Sequence, residues 1–379
     1  MKKYIISKNI LFYFALILYE FSSMFSNVYF FNKHVELVIN ISIFLLLINF
    51  IINSKTYSLK SIIILLLLLV FFAINSFIIG DKRMLILLLF CISYKNINFK
   101  KLLAFNWKFQ LFLFMIVILL YNLGLTDNYI MYRENGTIRS SMGFSHPNVF
   151  GVYIFSIFCQ LIYCKYNDIR LTYLLPLVLL LTFTISYFSD SRGSSYSIIL
   201  LYLFLIYIKK KKTININKNN KILYLMPIIF SLLSIVIAAN YDRNNTLMVK
   251  TNIKLSGRIS AAHLIMEKYD YKIFGQKLDL VSTKEAIKEG KQALVLDNSY
   301  IKLIYQYGLI VYGIFMLFYC ISIKKTIKNK NYILTCILLL YLIRGLTENI
   351  MFNFYGNIFL LIFSTILYGD DFYVNENKK

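Results

Sequence analysis

Residues 61–79 read SIIILLLLLVFFAINSFII, an uncharged run whose helix would be about 28 Å long, close to the thickness of a bilayer's hydrocarbon core. Lys55 and Lys60 precede it, and Asp81, Lys82 and Arg83 follow, so the apolar length ends at polar boundaries on both sides. Outward from this run, comparable segments fall at 10–29, 35–52, 84–94, 109–123, 148–164, 171–188, 195–208, 222–240, 299–323, 332–345 and 354–368. Together they make twelve predicted spans, the one at 84–94 being short. The expected fold class is therefore all-α: a polytopic membrane protein forming one integral membrane domain over 1–379.

Composition agrees with that reading. The chain is 59% hydrophobic with a mean hydropathy of +0.64, more apolar material than a soluble core of this length uses. Its net charge of +23 would suggest nucleic acid in a soluble protein. Here the basic residues sit in short blocks between apolar runs, which is the positive-inside pattern, so no nucleic-acid partner is expected. Met1-Lys2-Lys3 before an apolar run imitates a signal peptide, but no small-residue cleavage site follows, and a retained first helix is expected. Cys91, Cys159, Cys164, Cys320 and Cys336 form no CxxC pair and no zinc spacing, so neither a metal site nor a disulfide framework is expected.

Orientation follows from the connections. With the N-terminus in the cytoplasm, alternate loops collect 23 of the 41 Lys and Arg but only 4 of the 18 acids. Both termini are thereby predicted to be cytoplasmic. One long loop, 241–296, falls on the opposite face. Within it Ile259, Ala262, Met266 and Tyr269 recur at helical spacing, predicting an amphipathic helix over 256–269. Ser282-Thr283-Lys284-Glu285 has capping-box form and predicts a second helix start.

Polar residues converge on the face opposite the lysine blocks. Arg133, Arg139, Ser145, His146 and Asn148 precede the sixth span, and Asp190-Ser191-Arg192-Gly193 joins the seventh to the eighth. The long loop carries Ser256-Gly257-Arg258 and His263, then Asp297-Asn298. Arg344, Glu348 and Asn349 lie before the last span. Bases are depleted on this face by the same rule that enriches them on the other, so arginines retained at span ends call for an explanation. Their planar forks bind phosphate oxygens with two donors and keep their charge at depth, which suits a pyrophosphate. The bland alternative pairs Arg192 with Asp190, Arg344 with Glu348 and Arg133 with Glu134. His146 is either a general base or a cap on the sixth helix, with Pro147 in its first turn. Glu348 is the rival base. Glu20, inside the first span, is costly to bury and needs a partner.

These residues give the chain a resemblance to the O-antigen ligase/polymerase superfamily, most closely its oligosaccharide repeat-unit (Wzy-type) polymerase branch. The matching pieces are Ser145-His146-Pro147-Asn148 with Gly151, Ser191-Arg192-Gly193, Ser256-Gly257-Arg258 followed by Ile273-Phe274-Gly275, Asp297-Asn298-Ser299-Tyr300 leading to Tyr307-Gly308-Leu309, and Glu348. Their order and side over 143–368 carry the likeness; the first five spans match only in hydropathy. The resemblance implies a glycosyltransferase on the outer face of a bacterial cytoplasmic membrane. It would move a growing O-antigen or capsule glycan from undecaprenyl pyrophosphate to the non-reducing end of another lipid-linked repeat unit.

Neither a metal nor a nucleotide sugar is implied, and no cofactor is expected. A flippase and a chain-length regulator of the same pathway are the implied protein partners. Arg192 and Arg258, with Arg139 and Arg344, would hold the pyrophosphate. Ser145, Asn148, His263 and Asn298 would line the site. His146, Glu348 and Asp297 compete for the catalytic base. Ligase members often carry a His-Asn pair where this chain has Asp297-Asn298, which favours polymerase over ligase. A transporter is the rival from another class, and it would be expected to show paired halves or helices interrupted at mid-membrane.

Overall fold

The computed structural model describes residues 2–133, 136–210, 221–281, 286, 290 and 293–368. Helices account for most of this length. They are α1 (Lys2–Met24), α2 (Val35–Asn53), α3 (Leu59–Ile79), α4 (Arg83–Ser93), α5 (Phe99–Asn122), α6 (Pro147–Lys165), α7 (Leu171–Phe188), α8 (Arg192–Lys210), α9 (Lys221–Ala239), α10 (Thr246–Lys254), α11 (Arg258–Lys268), α12 (Leu309–Lys328) and α13 (Tyr332–Gly345). Among the described residues seven helices are long and apolar enough to cross a membrane, and further apolar helices are shorter. The chain thus fits a multi-pass membrane protein.

Helix starts follow from capping chemistry. The Ser58 hydroxyl accepts from the Ser61 amide, and the Asn98 and Asn331 side chains accept from the amides of Lys101 and Leu334. Each satisfies one of the amides that a helix leaves open at its first turn. The end of α3 is set by Gly80, which takes the left-handed conformation that closes a helix cheaply.

The burial pattern is that of a protein solvated by lipid. Along α3 and α7 large apolar side chains face outward: Phe77 is 90% exposed, and Leu67, Leu180 and Phe183 are exposed as well. Patches of this extent are untenable in water and ordinary against acyl chains. Polar side chains instead turn inward. Glu20 accepts from Gln110 Nε2 at 3.0 Å, Gln160 Nε2 donates to Gln110 Oε1 at 2.8 Å, and Asn106 Nδ2 donates to Gln160 Oε1 at 3.0 Å. All four are fully buried. The partner that Glu20 needs is therefore a neutral amide, that of Gln110. At the centre lie α4, α13 and the tight turn Ile358–Phe363, each almost entirely buried.

Several expected boundaries are corrected. The span predicted at 109–123 belongs to a helix that begins ten residues earlier, because Asn98 caps α5 ahead of a mixed Lys and apolar first turn. The span at 354–368 is not one regular helix but the turn Ile358–Phe363 followed by the short helix Ser364–Tyr368. The span at 299–323 is interrupted. Ser299–Lys302 and a wide π-type turn over Leu303–Tyr307 end at Gly308, and α12 starts beyond it. In the long loop, α11 confirms a helix within 256–269, though Ile265 joins Ala262 as its buried centre. A further helix, α10, was not anticipated. Ser282–Glu285 and 211–220 lie outside the described residues.

The interruption has a specific cause. The Leu309 and Ile310 amides donate to the carbonyls of Lys272 and Ile273, at 3.1 and 3.3 Å, and the Gln276 amide donates to the Gln306 carbonyl at 3.0 Å. Segment 272–276 of the long loop thus docks along 306–310 through backbone hydrogen bonds, and the Asn75 side chain donates to the carbonyls of Phe274 and Tyr307 across the junction. Gly275 and Gly308 both have positive φ, and a Cβ on either would collide with backbone atoms of the opposing segment. Only glycine fits there. Gly275→Ala and Gly308→Ala should each lower stability by about 2–3 kcal/mol or more, read as a fall in thermal midpoint of the detergent-solubilised protein.

Candidate functional site

The two ends of the bundle differ in chemistry. At one, Lys95 and Lys325 donate to the Thr56 and Thr365 carbonyls at 2.7 and 2.8 Å, and Lys209 closes on the Ile169 carbonyl. At the other, the starts of α6, α8 and α11 and the end of α13 meet, and the arginines gather.

The N-termini of α6 and α8 cross in direct contact. A Cβ on Gly151 would stand 2.6 Å from Ser191 Cβ and 2.8 Å from Ser194 Oγ, so small residues set this approach. Between them lies Asp190, in the left-handed region that aspartate tolerates better than most residues. Its carboxylate takes Arg133, whose Nη2 also donates to the Asp190 carbonyl at 2.8 Å, and it accepts Arg192 Nε at 3.4 Å. Arg133 Nη1 reaches Ser256 Oγ at 2.8 Å, which ties the loop before α11 to this turn. The Arg192–Asp190 pair expected from sequence is present, while Glu134 lies outside the described residues.

Arg139 is buried on the short strand Ile138–Ser140. It donates to the Ser189 carbonyl at 2.9 Å and to Asn148 Oδ1 at 2.5 Å. Burial first, and Arg133 second, bring its guanidinium down to about 10, so it stays a cation at neutral pH. His146 caps α6: its Nδ1 accepts from the Asn148 amide at 3.0 Å. The proton of the neutral ring therefore sits on Nε2, a donor. Desolvation, then Arg139 and Arg258, hold the imidazole down at about 4, against the opposing pull of Glu348. At pH 7 His146 is a neutral hydrogen-bond donor.

Arg258, the first residue of α11, pairs with Asp297 at 3.3 Å. Arg344 is 2% exposed and pairs with Glu348 through Nη2; its guanidinium lies over the Phe155 ring, 4.8 Å from the centroid. Its Nε and Nη1 are buried with no hydrogen-bond partner among the described residues, which leaves two donors directed at no acceptor. Glu348 Oε1 points at Gly193, 3.0 Å from where a Cβ would be. Ser299 Oγ donates to the Glu348 carbonyl at 2.6 Å, fixing this turn against the entry to the interrupted span.

The structure brings Arg139, His146, Asn148, Arg192, Arg258, Asp297, Arg344 and Glu348 to one end of the bundle, and Ser145 is exposed beside them. Two other residues are engaged in packing. Asn298 caps the turn at Tyr300 and Ile301 and donates to Ser234 Oγ at 2.5 Å. His263 places Nδ1 2.9 Å from the Ala238 carbonyl and Nε2 3.2 Å from Glu267, joining α11 to α9.

Sequence reasoning missed the flank formed by Asp81, Arg83 and Lys302. Arg83 pairs with Asp81 at 2.7 Å and reaches Asn353 Oδ1 at 3.4 Å; Lys302 is 6% exposed. The available signals were a Lys-Arg pair at a turn on the base-poor face and a lysine inside an apolar run.

Comparison of the chain with protein-family models, curated proteins and solved structures gives no match.

Two measurements bear on this geometry. Glu348→Gln leaves the Arg344 charge buried and unpaired, and should cost about 3–5 kcal/mol; the double change Arg344→Met with Glu348→Met should recover most of it in thermal unfolding. For His146 the folded-state value lies below the unfolded one of 6.5, so the unfolded chain binds the proton more readily. Stability should therefore fall as pH drops from about 6.5 towards 4, and His146→Gln should flatten that part of the profile.

Proposed function

We propose that the protein is a polymerase of surface-polysaccharide repeat units: a metal-independent glycosyltransferase with twelve spans in the bacterial cytoplasmic membrane, both termini inside and the arginine end facing out. The observation that carries this reading is the convergence of Arg139, Arg192, Arg258 and Arg344, from four separate elements, around His146 and Glu348. Three of the four are held by acids, Arg192 by Asp190, Arg258 by Asp297 and Arg344 by Glu348. Buried Arg139 has no carboxylate partner among the described ion pairs, and buried Arg344 keeps two guanidinium nitrogens without an acceptor, which suits an oxyanion such as a pyrophosphate.

In the proposed reaction the acceptor hydroxyl oxygen attacks the anomeric carbon of the donor glycan. The glycosidic bond to undecaprenyl pyrophosphate breaks, and its electron pair leaves on the pyrophosphate. The arginines stabilise that growing charge in place of a metal. The acceptor proton passes to a carboxylate. Glu348 and Asp297 are the candidates, each paired with an arginine through one oxygen, Oε2 and Oδ2, and clear of that ion pair at the other. His146 donates from Nε2 and orients substrate. Arg192, whose side chain is 40% exposed, is the most accessible of the arginines to incoming substrate.

A flippase for the same lipid-linked unit is the second reading, because the span at 299–323 is interrupted and transporters use interrupted helices. The position of the break argues for the enzyme. Beyond Gly308, α12 still has 20 residues, enough to cross by itself, so the break lies at the end of the bundle rather than at its middle.

The test is the glycan profile of a strain lacking this chain and complemented with variants. Arg192→Ala, Arg258→Ala and Glu348→Gln should each reduce polymer by about a hundredfold or more while single capped repeat units still reach the surface. Wild-type chain lengths in all three, or loss of the single units as well, would refute the polymerase reading.

A further inference from the structure

Away from the arginines, the fully buried side chains of Glu20, Asn106, Gln110 and Gln160 join α1, α5 and α6 in one polar network. Asn106 and Gln110 are one turn apart on α5 and share a face, as Ser156 and Gln160 do on α6. Gln110 stands at the middle of α5, so the network lies inside the bundle and away from its ends.

The amides of this network run in one direction. Asn106 Nδ2 donates to Gln160 Oε1. Gln160 Nε2 donates to Gln110 Oε1 and, at 3.2 Å, to Ser156 Oγ. Gln110 Nε2 donates to Glu20 Oε2 and, at 3.2 Å, to the Tyr355 carbonyl. Both glutamine nitrogens have thus spent their protons. The chain of donors begins at Asn106 and ends at Glu20, and one oxygen is left over at each end. Asn106 Oδ1 and Glu20 Oε1 are buried with no hydrogen-bond partner among the described residues. The Asn106 side chain also comes within hydrogen-bonding reach of the Glu20 carboxyl, so the chain bends back on itself.

No cation is placed to hold a charged Glu20. Tyr19, Tyr153 and Tyr355, which surround it, carry no positive charge, and Arg83, which reaches the same tyrosines from the start of α4, is held by Asp81. On α2 the one titratable side chain is Glu36, exposed and paired with Lys82, and Lys108 on α5 is exposed. An ionised carboxyl only accepts hydrogen bonds, whereas a protonated one adds an O–H donor, and two leftover acceptors need one hydrogen between them.

We propose that Glu20 is a proton-binding site inside the bundle: Oε1 carries a proton at neutral pH and donates it to Asn106 Oδ1, closing a ring of four side chains across α1, α5 and α6. The proton satisfies both leftover oxygens and removes the charge that a carboxylate would place among apolar helices. A metal cation is the other ligand a buried carboxylate takes, but it calls for a shell of about six oxygens, and the ring leaves two. Packing of α1 against α5 and α6 therefore depends on a bound proton. The site shares no residue with the arginine cluster and does not rest on the polymerase reading.

The test is an infrared difference spectrum of the full chain in nanodiscs at pH 7, wild type minus Glu20→Gln. The wild type should show the carbonyl stretch of a protonated carboxylic acid, and Asn106→Leu should move that band to higher frequency because the O–H loses its acceptor. A difference spectrum with carboxylate bands alone would overturn the proposal, as would a band that Asn106→Leu leaves in place. Thermal unfolding gives a second readout. Glutamine at position 20 presents an oxygen to Gln110 and a nitrogen to Asn106, so Glu20→Gln should hold the midpoint to within about 2 °C. Glu20→Leu, which can do neither, should lower it by about 5 °C or more. Equal midpoints in the two variants would overturn the proposal. So would a wild-type midpoint that rises when sodium replaces choline and does not do so in Glu20→Gln, since the ligand would then be a metal ion.

Discussion

The buried Arg344–Glu348 pair is the contact on which the arrangement of this end of the bundle depends. Arg344 lies at the end of α13, a mostly buried helix, and its charge lies against Phe155 of α6. Glu348 meets Gly193 at the start of α8, and its backbone takes the Ser299 hydroxyl at the start of the interrupted span. Four elements are thereby fixed to one ion pair. Such a pair is rarely a net source of stability, since both ions lose hydration and the attraction roughly balances that cost. It is better regarded as a device of position: neither ion can move without exposing the other.

Around that pair the remaining charges are arranged in steps. Asp190 gathers Arg133 and Arg192, Asp297 holds Arg258, and Asp81 holds Arg83. Each acid is matched by at least one arginine, and Arg139 and Lys302 are left without a carboxylate among the described ion pairs. A surplus of buried cations at one end of a lipid-solvated bundle is unfavourable, and any anion held there would offset that cost.

The interrupted span shows how a membrane protein affords irregular backbone. Amides released at Gly308 are taken up by Lys272 and Ile273 of the long loop, so the loop is part of the bundle and not an appendage over it. Backbone pairing there also carries α11 and Arg258 into place. The glycines at 275 and 308 permit the close backbone approach on which that pairing depends.

Much of this was legible in the sequence. Apolar length alone marked 171–188 and 332–345, whose bounds coincide with α7 and α13, because in lipid a span must satisfy its own backbone and nothing else competes. Arginines at span ends marked the candidate site, since charge cannot be placed there without cause. Other features could not be read. His146 carried the same letters whether it accepted or donated, and only its bond from the Asn148 amide put the proton on Nε2. The break at Gly308 depended on a partner strand of chain thirty residues away, and the pairing of Arg133 with Asp190 on a turn of fifty-seven. Sequence determined which segments are apolar enough to cross a bilayer, because that is a property of each segment's own side chains. Tertiary structure decided which charges meet, because that depends on how separate segments pack.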